Sequence, residues 1–276
     1  MDNIEFYSQI DSYIENGKKC FHDHQVDLLN ILRDMHNVCE VNHIPYQLAC
    51  GTLLGAIRDN CLLPWDYDVD VYMFSKDRER IIELFNKEFK NKYSVDCIEN
   101  NKNYESYKIR IGKLNVNTKH VHIDIFLLVP IYDNAFLGNL YKWIILRCVG
   151  ARMFQTGNMK FDLLNNSKDK VSWLIRKVLY GLISLEAVDK VYYSSINRLK
   201  DIRSKYYISA DIWANSPHHL QRSLIDRTEL KDFSFGVFRV PIEYDTVLHS
   251  LYGEYKVYPS ISRQITEWIR GVDWIS

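Results

Sequence analysis

Between residues 50 and 74 the chain reads CGTLLGAIRDNCLLPWDYDVDVYMF, and the end of that stretch limits the folds it can belong to. Asp66, Asp68 and Asp70 alternate with Tyr67, Val69 and Val71, and Tyr72, Met73 and Phe74 continue the extended pattern. β-Branched and aromatic residues favour the pleat. Side chains two apart on a strand leave by the same face, so Asp68 and Asp70 emerge together, joined by Asp66 if the strand begins that early. Like charges repel and burial disfavours their ionised form. A fold keeps such a group when something positive sits there. Hard oxygen ligands suit Mg²⁺ or Mn²⁺, which take one or two carboxylates together with substrate phosphates. An EF-hand calcium loop is excluded, because its sixth position must be glycine and here it is Val71. A solvated acidic edge strand is the plainer alternative.

The flanking segments have their own periodicities. Apolar residues at helical spacing predict a helix over 22–42, ended by His43-Ile44-Pro45. A short apolar strand over 46–50 then leads into Gly51. Thr52 is placed to cap a helix running to about residue 60. A glycine turn at a helix start leaves N–H groups free for an anion, and Arg58 lies one to two turns further on. Ser75 is an N-cap candidate for a helix over 76–90, and strands are expected over 93–98 and 106–114. In the second of these, Lys108 and Arg110 share a face, either as a solvated sheet face or as cations aimed at phosphates. The segment 120–129, HVHIDIFLLV, is a strongly apolar strand with one carboxylate. A buried unpaired charge is expensive, so Asp124 is neutral, paired, or a third metal ligand. His122 shares its face, although a single histidine is more often structural.

From 136 to about 207 the pattern is helical, in segments 137–154, 171–184 and 185–205, with a polar break at Asn165-Asn166-Ser167. A strand over 237–240, Pro241 and a helix carrying Tyr244, Val247, Leu248, Leu251 and Tyr252 follow.

Composition bounds the class. The chain has 276 residues and is 47% hydrophobic, ample for a sizeable core and incompatible with disorder as the main state. Lys+Arg and Asp+Glu are both 35, so the overall balance names no partner. The distribution is uneven: residues 134–205 hold thirteen Lys/Arg against five Asp/Glu. With Trp143, Trp173 and several tyrosines among them, these helices suit a peripheral membrane contact as well as ordinary packing. Six cysteines without a C-x-x-C pair read as reduced thiols of an intracellular protein. No secretory h-region is visible at the start, and no apolar window is long enough to cross a bilayer. A cytoplasmic setting, peripheral to the inner membrane face, is expected.

The block G-T-L-L-G-A-x-R followed by P-W-D-x-D-x-D resembles the LicD family of phosphotransferases, which includes the bacterial phosphocholine transferases and the animal fukutin-related proteins. PWDYDVD, with Tyr67 at its centre, is closest to the fukutin-related form. Further matches are Lys108-Ile109-Arg110, Asn117-Thr118, the I-D-I-F segment around Asp124, Val240-Pro241, Tyr244-Asp245 and Leu251-Tyr252-Gly253-Glu254-Tyr255. The middle helices match no motif.

The resemblance implies an α+β fold, a nucleotidyltransferase-like mixed sheet flanked by helices. Residues 1–133 would form this core, 134–234 a mainly helical region, and 235–276 a segment returning to the core. It also implies transfer of a phosphorylated alcohol from a CDP-linked donor to a hydroxyl of a cell-surface glycan or its lipid-linked precursor, with no nucleic-acid partner. Asp68, Asp70 and Asp124 would be catalytic and, with Asp66, would hold Mg²⁺ or Mn²⁺. Asp124 would also deprotonate or orient the acceptor hydroxyl. Gly51, Thr52, Arg58, Lys108 and Arg110 would hold the diphosphate, and Tyr252 and Asp245 would shape the acceptor side. The rival readings are a D-x-D glycosyltransferase, transfer of the nucleotide itself, and a non-catalytic binding module.

Overall fold

The computed structural model of the protein describes residues 3–114, 121–156, 167–209, 219–234 and 236–275. Helix α1 (Asn3–Val41) is followed by strand β1 (Tyr46–Leu48), helix α2 (Cys50–Arg58) and strand β2 (Val69–Phe74). A 3-10 turn, Ser75–Asp77, leads into α3 (Arg78–Glu88), then β3 (Tyr93–Asp96), β4 (Ile109–Lys113) and β5 (His122–Ile131). Three helices follow: α4 (Ala135–Gln155), α5 (Ser167–Gly181) and α6 (Leu185–Leu199). The rest comprises β6 (Tyr206–Ser209), β7 (His219–Gln221), α7 (Arg222–Ile225), β8 (Thr228–Phe233), β9 (Gly236–Pro241), α8 (Tyr244–Tyr252) and α9 (Ile261–Ile275).

The architecture is mixed α+β. The main sheet runs β1-β2-β5-β4-β3, with β2 and β5 parallel and the other neighbours antiparallel. Leu128 of β5 is the register partner of both Phe74 in β2 and Ser209 in β6, so β6 must lie on the edge of β5 away from β2. That edge is shared: β4 takes residues 122–125 and β6 takes 128–131. All ten residues of β5 are buried, as a strand hydrogen-bonded on both edges and covered on both faces should be. The odd positions Val69, Val71, Ile123, Ile125, Ile109 and Ile111 are fully buried in one core with Leu28, Ile31, Leu32 and Met35 of α1. A second core, around Val129, Ile131, Tyr107, Ile145 and Tyr192, joins the far end of β5 to α4 and α6.

Several local expectations are corrected. Thr52 lies inside α2, whose N-cap is Ala49, so its hydroxyl does not cap the helix. Ser75 opens the 3-10 turn and caps nothing; α3 starts from Asp77 without a side-chain cap. The helix expected over 22–42 is the C-terminal half of α1, and that expected over 185–205 stops at Leu199, where β6 soon begins. Strands β6 to β8 and helix α9 were not anticipated. Residues 134–234 supply three long helices and also two strands of the main sheet, β6 beside β5 and β7 beside β6. Asn117, Thr118, His120, Asn165, Asn166 and Phe235 lie outside the described residues.

Candidate metal centre

The register of β2 against β5 makes Asp70 and Asp124 cross-strand partners in parallel neighbours, so their side chains leave by one face. Asp68, two residues before Asp70, leaves by that face as well. One carboxylate oxygen from each of Asp68, Asp70 and Asp124 lies within 4.8 Å of the others. Asp66 is not in that trio. It sits in the loop ahead of β2 with a buried oxygen, Oδ2, that has no hydrogen-bond partner. A Cβ on Gly51 would come within 3.1 Å of that oxygen, so the glycine lets the loop lie against the start of α2.

The loop is held from two sides. His24 of α1 hydrogen-bonds the Tyr67 carbonyl at 2.6 Å, and the Gln25 amide donates to the carbonyls of Leu63 and Asp66, both at 2.9 Å. From the other side, Gly55 of α2 approaches so closely that an added Cβ would sit 2.4 Å from the Cys61 carbonyl oxygen. The turn between β1 and α2 is fastened to Asp70 itself. Ala49 N–H donates to the Asp70 carbonyl at 3.0 Å, and Asp70 N–H donates to the Thr52 hydroxyl at 2.9 Å. Between these bonds Cys50 adopts φ 48°, a left-handed conformation that costs a residue with a Cβ and is concentrated at functional sites. The N–H groups in the first turn of α2 are beyond the reach of any helix carbonyl.

Charge is distributed unevenly over the cluster. Burial works against ionisation of Asp124, but Lys108 and Arg110 outweigh it and hold its pKa down to about 2. Arg110 Nε donates to Oδ1 at 2.9 Å, Lys108 Nζ contacts Oδ2, and His122 Nε2 is 3.8 Å from Oδ1. Asp68 behaves in the opposite way: burial, then the charge of Asp124, push its pKa up to about 6. Burial and neighbouring carboxylates raise Asp70 and Asp66 well above the usual range. Two cations therefore neutralise one acid and leave the remaining charge unbalanced. This donor set fits a hard divalent cation. A carboxylate has about four lone-pair positions, so Asp124 can keep both cations and still offer one to a metal.

Gly51 and Thr52 adjoin the trio through the α2 turn, and Lys108 and Arg110 adjoin it through Asp124. Arg58 is turned elsewhere: it pairs with Asp59 at 2.9 Å, donates to the Tyr255 carbonyl at 3.3 Å and lies 4.0 Å over the Tyr258 ring. On α8, desolvation of the hydroxyl, Cys50 and the charges of Asp70, Asp66 and Asp68 push the Tyr252 phenol up, although 43% of the residue's surface is exposed. Asp245 is engaged by Tyr255 at 2.7 Å and Lys256 at 3.2 Å. Glu267 and Arg270 of α9 also act electrostatically on Asp66 and Asp68. The apolar spacing Ile261, Ile265, Ile269, Val272 was the available signal for that helix. A cavity of about 580 Å³ opens elsewhere, beyond Phe74 and Leu128, and none of the acidic trio lines it.

Residues 43–143 match the LicD/FKTN/FKRP nucleotidyltransferase domain. The lipopolysaccharide cholinephosphotransferase LicD of Haemophilus influenzae is 38% identical over 82 residues, 30% of this chain and 31% of that protein. A Rickettsia prowazekii protein, RP689, is 30% identical over 76 residues, 28% of this chain and 27% of its own. Mannosyltransferase regulator 4 of Saccharomyces cerevisiae is 24% identical over 218 residues, 76% of this chain but 17% of the yeast protein. The chain thus spans less than a third of the length of these relatives.

Proposed function

Residues 43–143 make this chain a member of the LicD family, and from that premise we propose that it transfers a phosphorylated alcohol, phosphocholine or a close analogue, from a CDP-linked donor to a glycan hydroxyl. The reading is supported above all by one observation, the convergence of Asp68, Asp70 and Asp124 within 4.8 Å beside two cations. The core would be nucleotidyltransferase-like, formed by residues 1–133 and closed by 235–276, with 134–234 as an insertion. A cytoplasmic setting at the inner membrane face completes it.

In this reading Asp68, Asp70 and Asp124 hold Mg²⁺ or Mn²⁺, with Asp66 close by. The bound ion supplies charge neutralisation for the diphosphate and its leaving group. Thr52 and the N–H groups of the α2 turn cradle donor phosphate oxygens. Lys108 and Arg110, preset beside Asp124, stabilise charge that grows on the transferred phosphoryl group. Arg58 joins them by exchanging Asp59 and Tyr258 for the donor. The acceptor oxygen attacks the phosphorus that bears the alcohol; a phosphodiester forms, the bond to CMP breaks, and the hydroxyl proton leaves to solvent. With its pKa near 2, Asp124 is a weak base, so orienting the hydroxyl fits it better than removing the proton.

The test is incubation with Mg²⁺ and a glycan acceptor, in separate reactions with a panel of CDP-alcohols, a panel of nucleoside diphosphate sugars and nucleoside triphosphates, with nucleotide products resolved. CMP and a phosphodiester support the proposal. Nucleoside diphosphate with a glycoside would establish a glycosyltransferase, and pyrophosphate would establish nucleotide transfer. Retention of donor with no product would leave a binding module.

A further inference from the structure

Helix α5 has an apolar stripe on its outer side. Its contacts with the protein come from Trp173 and Tyr180: the Phe154 ring of α4 lies 5.2 Å from the first and 5.8 Å from the second. Gln155 adds hydrogen bonds to the carbonyls of Tyr180 and Ile183. At 3.6 residues per turn the opposite side carries Val171, Leu174, Ile175, Val178 and Leu179, with Leu182 one residue past the helix. These six are 56, 51, 55, 64, 55 and 80% exposed, in that order. A helix of a globular protein normally turns its apolar stripe inward. On α5 the stripe faces water, and the exposed Arg176 and Lys177 flank it, one on each margin. An outward stripe of this extent marks a surface that something covers.

We propose that this stripe, with Arg176 and Lys177 on its margins, is a docking surface for an anionic lipid bilayer. The described side chains of the helix are almost all exposed. That exposure suits an interfacial helix, which sinks about 5–10 Å into the boundary between headgroups and acyl chains. The charge is complementary: Arg176 and Lys177 are exposed on α5, and residues 134–205 hold thirteen Lys/Arg against five Asp/Glu, an excess that survives setting aside the buried Arg152 and its partner Asp189, matching the negative potential of an anionic leaflet. No helix among the described residues is long and apolar enough to cross a membrane, so the contact lies on the surface. The proposal rests on the reading above only for its setting, an enzyme working where lipid-linked glycans are presented.

The experiment is co-sedimentation of the full chain with vesicles of phosphatidylcholine alone and of equal parts phosphatidylcholine and phosphatidylglycerol, with CMP release from a soluble donor measured in parallel. Binding to the mixed vesicles, weakening with added salt, is expected. Leu174→Glu with Val178→Glu should reduce it more than tenfold, and Arg176→Glu with Lys177→Glu should remove the preference for anionic lipid. Both variants should keep the wild-type circular dichroism and thermal midpoint, since the four altered side chains are exposed and the one packing contact among them, Lys177 resting 5.1 Å from the Trp173 ring, is a surface contact. Absence of vesicle binding, or undiminished binding by the Leu174/Val178 variant, overturns the proposal. So does a wild-type dimer that this variant converts to monomer, because the stripe is then the seat of a second copy. Vesicle binding without CMP release from any donor leaves the docking surface standing and refutes the transferase reading instead.

Discussion

Two groups of buried charge lie on opposite sides of β5, and they are built differently. Around Asp189 the account closes. Arg152, with no exposed surface, donates to both Asp189 oxygens at 2.6 and 2.7 Å and to the carbonyls of Tyr104 and Lys102, both at 2.7 Å, while the Tyr107 hydroxyl donates to Asp189 at 2.8 Å. One cation meets one anion, and the spare donors find carbonyls. Around Asp124 the account stays open, because Lys108 and Arg110 serve a single carboxylate while Asp68 and Asp70 crowd in behind it. The closed group fastens α4 and α6 to the loop before β4. The open group is kept at a cost in repulsion, which a bound divalent cation would relieve. Burial alone therefore does not identify a site; uncompensated charge does.

The largest expected effect would separate the two groups at once. Asp70→Asn should lower CMP release by about 10²–10³-fold, the loss typical when a charge-stabilising group is removed from an active site. Its thermal midpoint should stay level or rise, since like-charge repulsion falls. A variant that unfolds would show that Asp70 belongs to a closed network after all. Arg152→Met should do the reverse and cost about 3–5 kcal/mol in denaturant melts by leaving Asp189 without its cation. CMP release per folded molecule should then be close to wild type, and a selective loss of turnover would erase the distinction drawn here. Mg²⁺ at a hundred times its dissociation constant should stabilise the wild type by about 2.7 kcal/mol. Asp70→Asn should gain much less in the same thermal-shift series.

The smallest effect concerns pH. Arg78 pairs with Glu99 at 2.9 Å and, with burial opposing, holds that carboxyl at about 2. Because the folded value lies below the unfolded one, this pair stabilises the protein above the ordinary glutamate range and loses that contribution as pH falls toward 2. With Glu99 replaced by Gln, stability at neutral pH should drop slightly, and its further fall between about pH 4.5 and 2 should be shallower than in wild type. An unchanged slope would remove Glu99 from the set of acid-sensitive contacts.

Much of the acidic trio was legible because its signals are local. Period-2 spacing puts Asp68 and Asp70 on one face, and a single carboxylate in HVHIDIFLLV has few places to go. That Asp124 meets them follows from the parallel register of β2 and β5, which no local pattern encodes. Whether Lys108 and Arg110 lay on a solvated face or aimed at phosphates was open for the same reason, and their contact with Asp124 depends on which strand lies alongside. Thr52 and Ser75 show how ambiguous a hydroxyl near a helix start is, since one bonds a neighbouring strand and the other caps nothing. Strand β6 is four residues long and begins seven residues after a helix ends, too brief for its alternation to stand out. His24 and Gln25 act through carbonyls some forty positions away, a contact invisible to periodicity.

The shared edge of β5 bears on how the molecule can be divided. Its last four residues, 128–131, have β6 beside them, and β6 arrives only after three further helices. A fragment ending at residue 143, where the family match stops, would bare the β6 edge of Leu128, Val129, Pro130 and Ile131 to pairing with another chain, Leu128 keeping Phe74 on its other side. A fragment starting at residue 43 would shed His24 and Gln25 and let the aspartate loop drift. The smallest piece that carries all the acids is thus not the smallest piece that can keep them in place.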